Sequence, residues 1–370
     1  MKKKKVRTLA LALTTVLTVV SLTGCRFGFN TAASSSLNSG AGNPDELNVI
    51  VWESDLSETA VQDFEDAFGV KVNVTYLEDT NQLLQKMITG TANYDVLDLE
   101  SSYVSSFVQA DLLSPLDYSL IENMKNVDPA FHEAGQGAPG DEDFVYSLPL
   151  SGPFYTGVIV NKQTCPVEIE TLKDLTNPKL KGQLCSVNST ISLYAGALYA
   201  LGYSVNSTDD QELAEAQALL KKIKPNIQSF VGSSALSQLE AGDCSAAYCW
   251  DYDVLCADSE KYWDQFELIP GTALGYTQNW AIAKSSSNQA LANEFINFLF
   301  RPEEYAHLIE EYGGTSILKK DLMADLLPSN YYDNPCVQVY TDLWADHVPL
   351  QVSDEQISKL DVLYNELMSQ

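Results

Sequence analysis

From residue 47 onward, short apolar runs alternate with stretches whose apolar side chains recur every three or four positions. "LNVIVW" (47–52) is a run of the first kind and has the length of a strand. "ETAVQDFEDAF" (58–68) puts Ala60, Val61, Phe64, Ala67 and Phe68 at helical spacing, and Gly69 stands where a helix C-terminus favours it. "VKVNVTY" (70–76) alternates with period two, "NQLLQKMIT" (81–89) is helical, and "YDVLDL" (94–99) is a third strand. Strand, helix and strand at this spacing predict right-handed βαβ units on a sheet covered by helices.

A second α/β block starts near Phe154. "FYTGVIVN" reads as a strand, helices follow at about 188–201 and 210–223, and "SAAYCW" (245–250) is again a strand. "GYTQNWAIAK" (275–284) is a further strand, and "QALANEFINFLF" with "RPEEYAHLIEEYGG" gives two helices split by Pro302. A last amphipathic helix covers Ser353 to Met368. There is no internal repeat and no second linker, so the order predicts two intertwined α/β units.

The chain opens with "MKKKKVRTLALALTTVLTVVSLTGC": five positive charges, then an uncharged, mostly apolar stretch from Leu9 to Leu22. A basic segment before a short apolar one is expected to be a secretory signal over residues 1–24, too short for a comfortable membrane span. Leu22-Thr23-Gly24-Cys25 is similar to a bacterial lipobox, which implies lipidation at Cys25. Residues 25–45, rich in Ser, Asn, Gly and Ala, read as a lipid-anchored flexible linker whose twenty or so residues span roughly 25 Å.

The chain carries 22 basic and 50 acidic residues; five of the basic ones lie in the leader, so the remainder has 17 against 50, a net −33. This charge argues against nucleic acid as a partner and against adhesion to anionic headgroups, while it permits cationic ligands. Six cysteines follow Cys25: Cys165, Cys185, Cys244, Cys249, Cys256 and Cys336. Outside the cytoplasm some could pair, and the sequence leaves the pairing open. Cys244 and Cys249 fall in one predicted strand at an odd separation, on opposite faces, and are not expected to bridge.

Motifs of known chemistry are few. "GQGAPG" (135–140) has the letters of a dinucleotide fingerprint, but no strand precedes it and the next element is the strand "FVYSLP" (144–149), so it reads as a loop. His132, His307 and His347 have no partner at metal-ligand spacing, and no metal or cofactor is expected. What recurs is an aromatic residue beside polar groups at the end of a predicted strand. Trp52 precedes Glu53, Ser54 and Asp55; "LDLESSY" ends on Glu100, Ser101, Ser102 and Tyr103; "YCWDYD" carries Trp250, Asp251, Tyr252 and Asp253. In open α/β sheets ligands sit beyond the carboxyl ends of the strands, so three such ends could face one cleft.

These pieces, with "LKDLTNPKLKGQL" and "LGYSVNSTD", are similar in order and spacing over almost the whole chain to the spermidine/putrescine-binding proteins of bacterial ABC importers. The resemblance implies a two-lobed periplasmic-binding-protein fold of type II, with discontinuous lobes joined by hinge crossings. Lobe one would be 46–153 plus 277–322, and lobe two 157–275 plus 325–370. It implies a non-enzymatic, monomeric substrate-binding lipoprotein on the extracytoplasmic face of the membrane, which closes on a small solute and is read by a permease.

By the same resemblance Trp52 and Trp250 fall on ring positions of the family's ligand cleft, and Tyr276 on a third aromatic wall. Such rings box a diamine's methylene chain and face its ammonium groups, each contact contributing about 0.5 to 2 kcal/mol. Trp280 falls where the family has leucine and is expected in the core. The family's ammonium-gripping carboxylates fall on Ser189, Ser192 and Gln278, all uncharged here, and a tyrosine is lost at Gly314. Asp55, Glu100 and Asp251 could replace the lost charges, with Ser102 beside them. Ser189 and Ser192 could equally be plain helix-start residues. Two ligand readings therefore stand: a polyamine or related organic cation, or a neutral or zwitterionic solute held by the rings, the two serines and Gln278. A surface-anchored hydrolase and a scaffold that kept the fold are the other classes.

Overall fold

The computed structural model describes residues 45–133, 137–152, 155–232, 234–250, 262, 264–273, 277–334, 336–338 and 354–369. The first alternation forms β1 (Glu46–Val51), α1 (Glu58–Phe68), β2 (Lys71–Tyr76), α2 (Thr80–Ile88), β3 (Val96–Glu100) and α3 (Ser101–Gln109), then two short strands, β4 (Leu113–Ser114) and β5 (Ser147–Pro149). The second block runs β6 (Tyr155–Asn161), β7 (Leu184–Val187), α4 (Thr190–Leu201), α5 (Asp210–Ile223), β8 (Ile227–Val231), α6 (Ala235–Ala241), β9 (Ala246–Cys249) and β10 (Phe266–Ala273). After it come β11 (Gln278–Ala283), α7 (Gln289–Leu299), α8 (Pro302–Tyr312), α9 (Lys320–Met323) and α10 (Asp354–Met368).

Local chemistry sets the limits of these elements. Ser57 caps α1 by accepting the Ala60 N–H at 3.0 Å, and Gly69, at φ 68°, ends it in the left-handed conformation. Pro302 opens α8 at a position where its missing N–H costs nothing. In the loop before β5, the Asp141 carboxylate accepts the N–H groups of Val145, Tyr146 and Ser147 and the Ser147 hydroxyl. The described part of the glycine-rich motif, 137–140, belongs to this loop, and no helix follows it.

Two sheets result. In the first the order is β2-β1-β3-β11-β4, with β5 also on β11; β1, β2 and β3 are parallel, and β11 runs antiparallel to β3. In the second the order is β10-β6-β9-β7-β8. The chain therefore leaves the first sheet after β5, builds the second, returns through β11, and ends in α10 on helices of the second block. There Gln217 donates to the Leu363 carbonyl at 2.9 Å and Lys224 to that of Leu367 at 2.7 Å. Residues 331–334 stay with the first block: Tyr331 donates its hydroxyl to the Gly314 carbonyl at 2.8 Å.

The core follows the sheets. All seven residues of β6 are buried. Phe64 of α1 meets Phe295 and Phe298 of α7 edge-on, with centroids 4.9 and 5.3 Å away. Cys244 precedes β9 rather than lying within it, and its free thiol hydrogen-bonds that of Cys185 in β7; that hydrogen bond comes first in drawing the Cys185 thiol down to about 7. Cys256 and His347 lie outside the described residues.

Candidate functional site

The carboxyl ends of β1 and β3 lie side by side because the two strands are parallel neighbours, Val49 opposite Val96 and Ile50 opposite Leu97. β1 therefore hands Trp52 to the edge where β3 ends on Glu100 and turns directly into α3. β11 enters from the opposite direction, with Gln278 opposite Glu100 and Trp280 opposite Asp98. Cross-strand partners share a face, so Glu100, Gln278, Asp98 and Trp280 all project to one side of the sheet.

That edge is acidic and dry. The Trp52 N–H donates to Oδ2 of Asp98 at 3.1 Å, and the Asp55 N–H to the Trp52 carbonyl at 3.1 Å, which folds the turn back so that Asp55 reaches Asp98. Asp98 is 0% exposed and Asp55 7%. Burial, then the negative charge of Asp55, hold the Asp98 carboxyl well above the usual carboxylate range, against the pull of the Trp52 N–H; Glu100 adds to the rise. Glu100 accepts the Thr80 hydroxyl at 3.4 Å; burial raises its carboxyl, Thr80 and Ser102 oppose, and Asp79 adds to the rise. The indole N–H of Trp52 and Oε1 of Gln278 are buried without a hydrogen-bond partner among the described residues. Ser102 is half-buried in the first turn of α3.

A second group of predicted residues stands on the other sheet. Ser189 caps α4: its Oγ accepts the Ser192 N–H at 3.3 Å and the Ser192 hydroxyl at 2.8 Å. Both hydroxyls thus serve the start of the helix, the second of the two roles the sequence leaves open, and Ser192 is 1% exposed. Trp250 follows β9 and packs half-buried against Ile191, Ala195 and Val205. Asp251, Tyr276 and Cys25 lie outside the described residues.

Trp280 is in the core as expected, against Phe295, yet it also walls a cavity of about 20 Å³ with Asp55, Glu304 and Tyr305. Spacing along the sequence finds His307 no partners; the packing of α1 on α8 brings Asp63 to it beside Glu304 of its own helix, and candidate ligand atoms of Asp63, Glu304 and His307 lie within 4.8 Å of one another. Sequence reasoning missed Asp98. The available signal was an aspartate inside an otherwise apolar parallel strand, "VLDL", where both faces are covered.

The edge offers carboxylate oxygens at Asp55 and Glu100 and one amide oxygen at Gln278 to a hydrogen-bond donor, while the Trp52 ring packs against the cluster of Ile50, Leu97 and Leu99. The comparisons agree with a ligand-holding role. The sequence pattern of the family described as bacterial extracellular solute-binding protein matches residues 59–325. The putrescine-binding periplasmic protein PotF of Escherichia coli strain K12 is 26% identical over 340 residues, covering 86% of this chain and 90% of that protein. A putrescine/cadaverine-binding protein of Pseudomonas aeruginosa is 27% identical over 73% of this chain and 78% of its own length. Among solved structures, a putative spermidine/putrescine ABC transporter from Listeria monocytogenes superposes with a TM-score of 0.75 at 24% identity, covering 88% of this chain and 99% of that one. With more than half its length matched, and with the two-sheet, twice-crossing fold of those two-lobed proteins, this chain belongs to the bacterial extracellular solute-binding protein family.

Proposed function

We propose that the solute carried by this chain is a polyamine or a closely related organic cation. The chain is the substrate-binding component of an ABC transporter: it captures the solute outside the cytoplasm and hands it, chemically unchanged, to a permease. The observation that carries the cation reading is the set of three acids, Asp55, Asp98 and Glu100, gathered at one strand edge where Asp98 also takes the Trp52 backbone N–H. The lost family carboxylates at Ser189, Ser192 and Gln278 are thereby replaced from the first sheet. The names of the relatives, putrescine and spermidine among them, support the same class.

In this reading Trp52 and Trp250, with Tyr276, wall the methylene chain, while Asp55, Glu100 and Asp251 face ammonium groups and Gln278 and Ser102 complete the polar lining. The ligand lies where the two blocks meet, 46–153 plus 277–322 facing 157–275 plus 325–370, apart from residues 331–334, which pack with the first block, and closure about the crossings reports occupancy to the permease. Cleavage before Cys25, lipidation there and residues 25–45 as a tether hold the monomer at the extracytoplasmic membrane face. Among the described residues no helix is long and apolar enough to cross a membrane.

The test is calorimetric titration of the chain from residue 26 with putrescine, spermidine and spermine, beside neutral osmolytes, amino acids and sugars. Sub-micromolar binding of at least one polyamine is expected. Heat from a neutral or zwitterionic solute, with none from any polyamine, overturns the cation reading and assigns Gln278 and the serines a changed specificity.

A further inference from the structure

Asp98 lies one layer beneath the residues that can touch a ligand, and it is the least expected group in the fold. It is 0% exposed in the middle of the first sheet, between β1 and β11. Its Oδ2 takes the Trp52 N–H, while Oδ1 is buried with no hydrogen-bond donor among the described residues. The group that reaches it is Asp55, itself 7% exposed, with Oδ2 also withdrawn from solvent. Two carboxyl groups in contact away from water cannot both be ionised at tolerable cost, and the usual resolution is one proton between them.

Among the described residues, the charged groups that act on Asp98 and Glu100 add negative charge. Glu100 on β3 adds negative charge to Asp98, with Asp79 behind it. Trp280 and Gln278 on β11 are uncharged. From α8, Tyr305 and Glu304 share the cavity that Asp55 lines; the Tyr305 hydroxyl is spent on the Leu150 carbonyl at 3.2 Å, and Glu304 is a further acid raised by burial. Asp63, His307, Arg301 and Glu303 act on Glu304.

We propose that Asp98, acting through Asp55, is a specificity-determining residue: the free protein keeps one proton between the two carboxyl groups, and a ligand ammonium arriving at Asp55 expels it. This rests on the cation reading above. The balance is simple. The pair starts as one carboxylic acid and one carboxylate, the ammonium keeps its own protons, and the acid proton leaves to solvent as the organic cation takes over neutralising the pair. A neutral solute has no charge to exchange and leaves the proton in place. Asp98 thus rewards only cations, although no ligand atom touches it.

The decisive variant is Asp98→Asn. It keeps an acceptor for the Trp52 N–H and presents a permanent donor to Asp55, imitating the protonated state without titrating. Putrescine is titrated calorimetrically into wild type and variant, each in two buffers of different ionisation enthalpy, from about pH 5 to about pH 8. Wild type is expected to release close to one proton per ligand on the acid side and to gain affinity as pH rises; D98N releases none from this pair, and its affinity is flat. Proton release that is absent at every pH in wild type, or undiminished in D98N, overturns the proposal while leaving polyamine binding intact. Absence of polyamine binding by either protein overturns the cation reading and the ammonium trigger with it. The shared proton is then judged on the free protein. A native carboxyl raised above its unfolded value stabilises below that value and loses the contribution as pH rises, so wild type must melt progressively lower relative to D98N toward neutral pH. Parallel melting curves refute the shared proton.

Discussion

A methyl group on Gly196 would stand 2.0 Å from the Tyr248 hydroxyl oxygen, closer than any real contact. That hydroxyl donates to the Ser192 carbonyl at 2.9 Å and accepts from Thr156 at 2.7 Å, so it is held from two sides and cannot retreat. Gly196→Ala is expected to cost about 1 to 3 kcal/mol, as for other overpacked cores, and to lower the melting temperature; adding Tyr248→Phe removes the clashing oxygen and should recover part of the loss. At the strand edge, Trp52→Ala removes a wall common to every ligand. The expected loss is about 0.5 to 2 kcal/mol of affinity for cations, with a smaller loss for any neutral solute that binds. Asp55→Asn with Glu100→Gln should abolish cation binding and spare the fold, as checked by calorimetry beside a melting curve. Unchanged cation affinity in the double variant would refute the replacement of the lost carboxylates.

Among elements, the start of α1 is tied to the end of α8 through the Glu311 side chain. Glu311 accepts the Ser57 hydroxyl at 2.8 Å and the N–H groups of Glu58 and Thr59 at 2.8 and 3.2 Å, filling the open N-terminus of α1. Burial pushes its carboxyl up, but the hydrogen bonds from Thr59, Ser57 and Glu58 outweigh it and the net shift is downward. Such a group stabilises above its unfolded value and loses the contribution as pH falls. Glu311→Ala should therefore cost about 1 kcal/mol near neutral pH, like other lost caps, with the difference from wild type shrinking in acid melts.

The elements legible in the sequence were those whose periodicity is long or bounded by caps: α1 between Ser57 and Gly69, α7 and α8 split at Pro302, and β6 as an apolar run. β7, β8 and α6 were not read, because four- to seven-residue segments carry too few periods, and β10 has Pro270 and Gly271 inside it. The strand-end aromatics Trp52 and Trp250 were legible through their acidic neighbours. Asp98 was not, since its role depends on the turn that brings Asp55 back over β3. Nor was the Asp63, Glu304 and His307 grouping, which exists only once α1 lies on α8.

For the molecule as a whole, net charge of −28 over the chain makes long-range attraction part of capture. Polyamine association should slow as ionic strength rises, most for spermine and least for putrescine, while dissociation changes little; stopped-flow indole fluorescence would separate the two. The placement of β11 has a consequence of another kind. It separates β3 from β4 and β5, and Thr277 closes onto Ser101 across 176 residues. Closing so long a loop costs on the order of 4 to 5 kcal/mol of chain entropy before the strand's own contacts return it. A nascent chain that has not yet synthesised residues 278–283 has no strand to lay against β3. Completion of the first sheet therefore waits until about three quarters of the polypeptide exists, and the earlier segments remain threadable strands and helices until then. Refolding of full-length protein should show a slow phase that Trp280 fluorescence reports, and in a fragment ending before Gln278 the β3 amides should stay unprotected against hydrogen exchange.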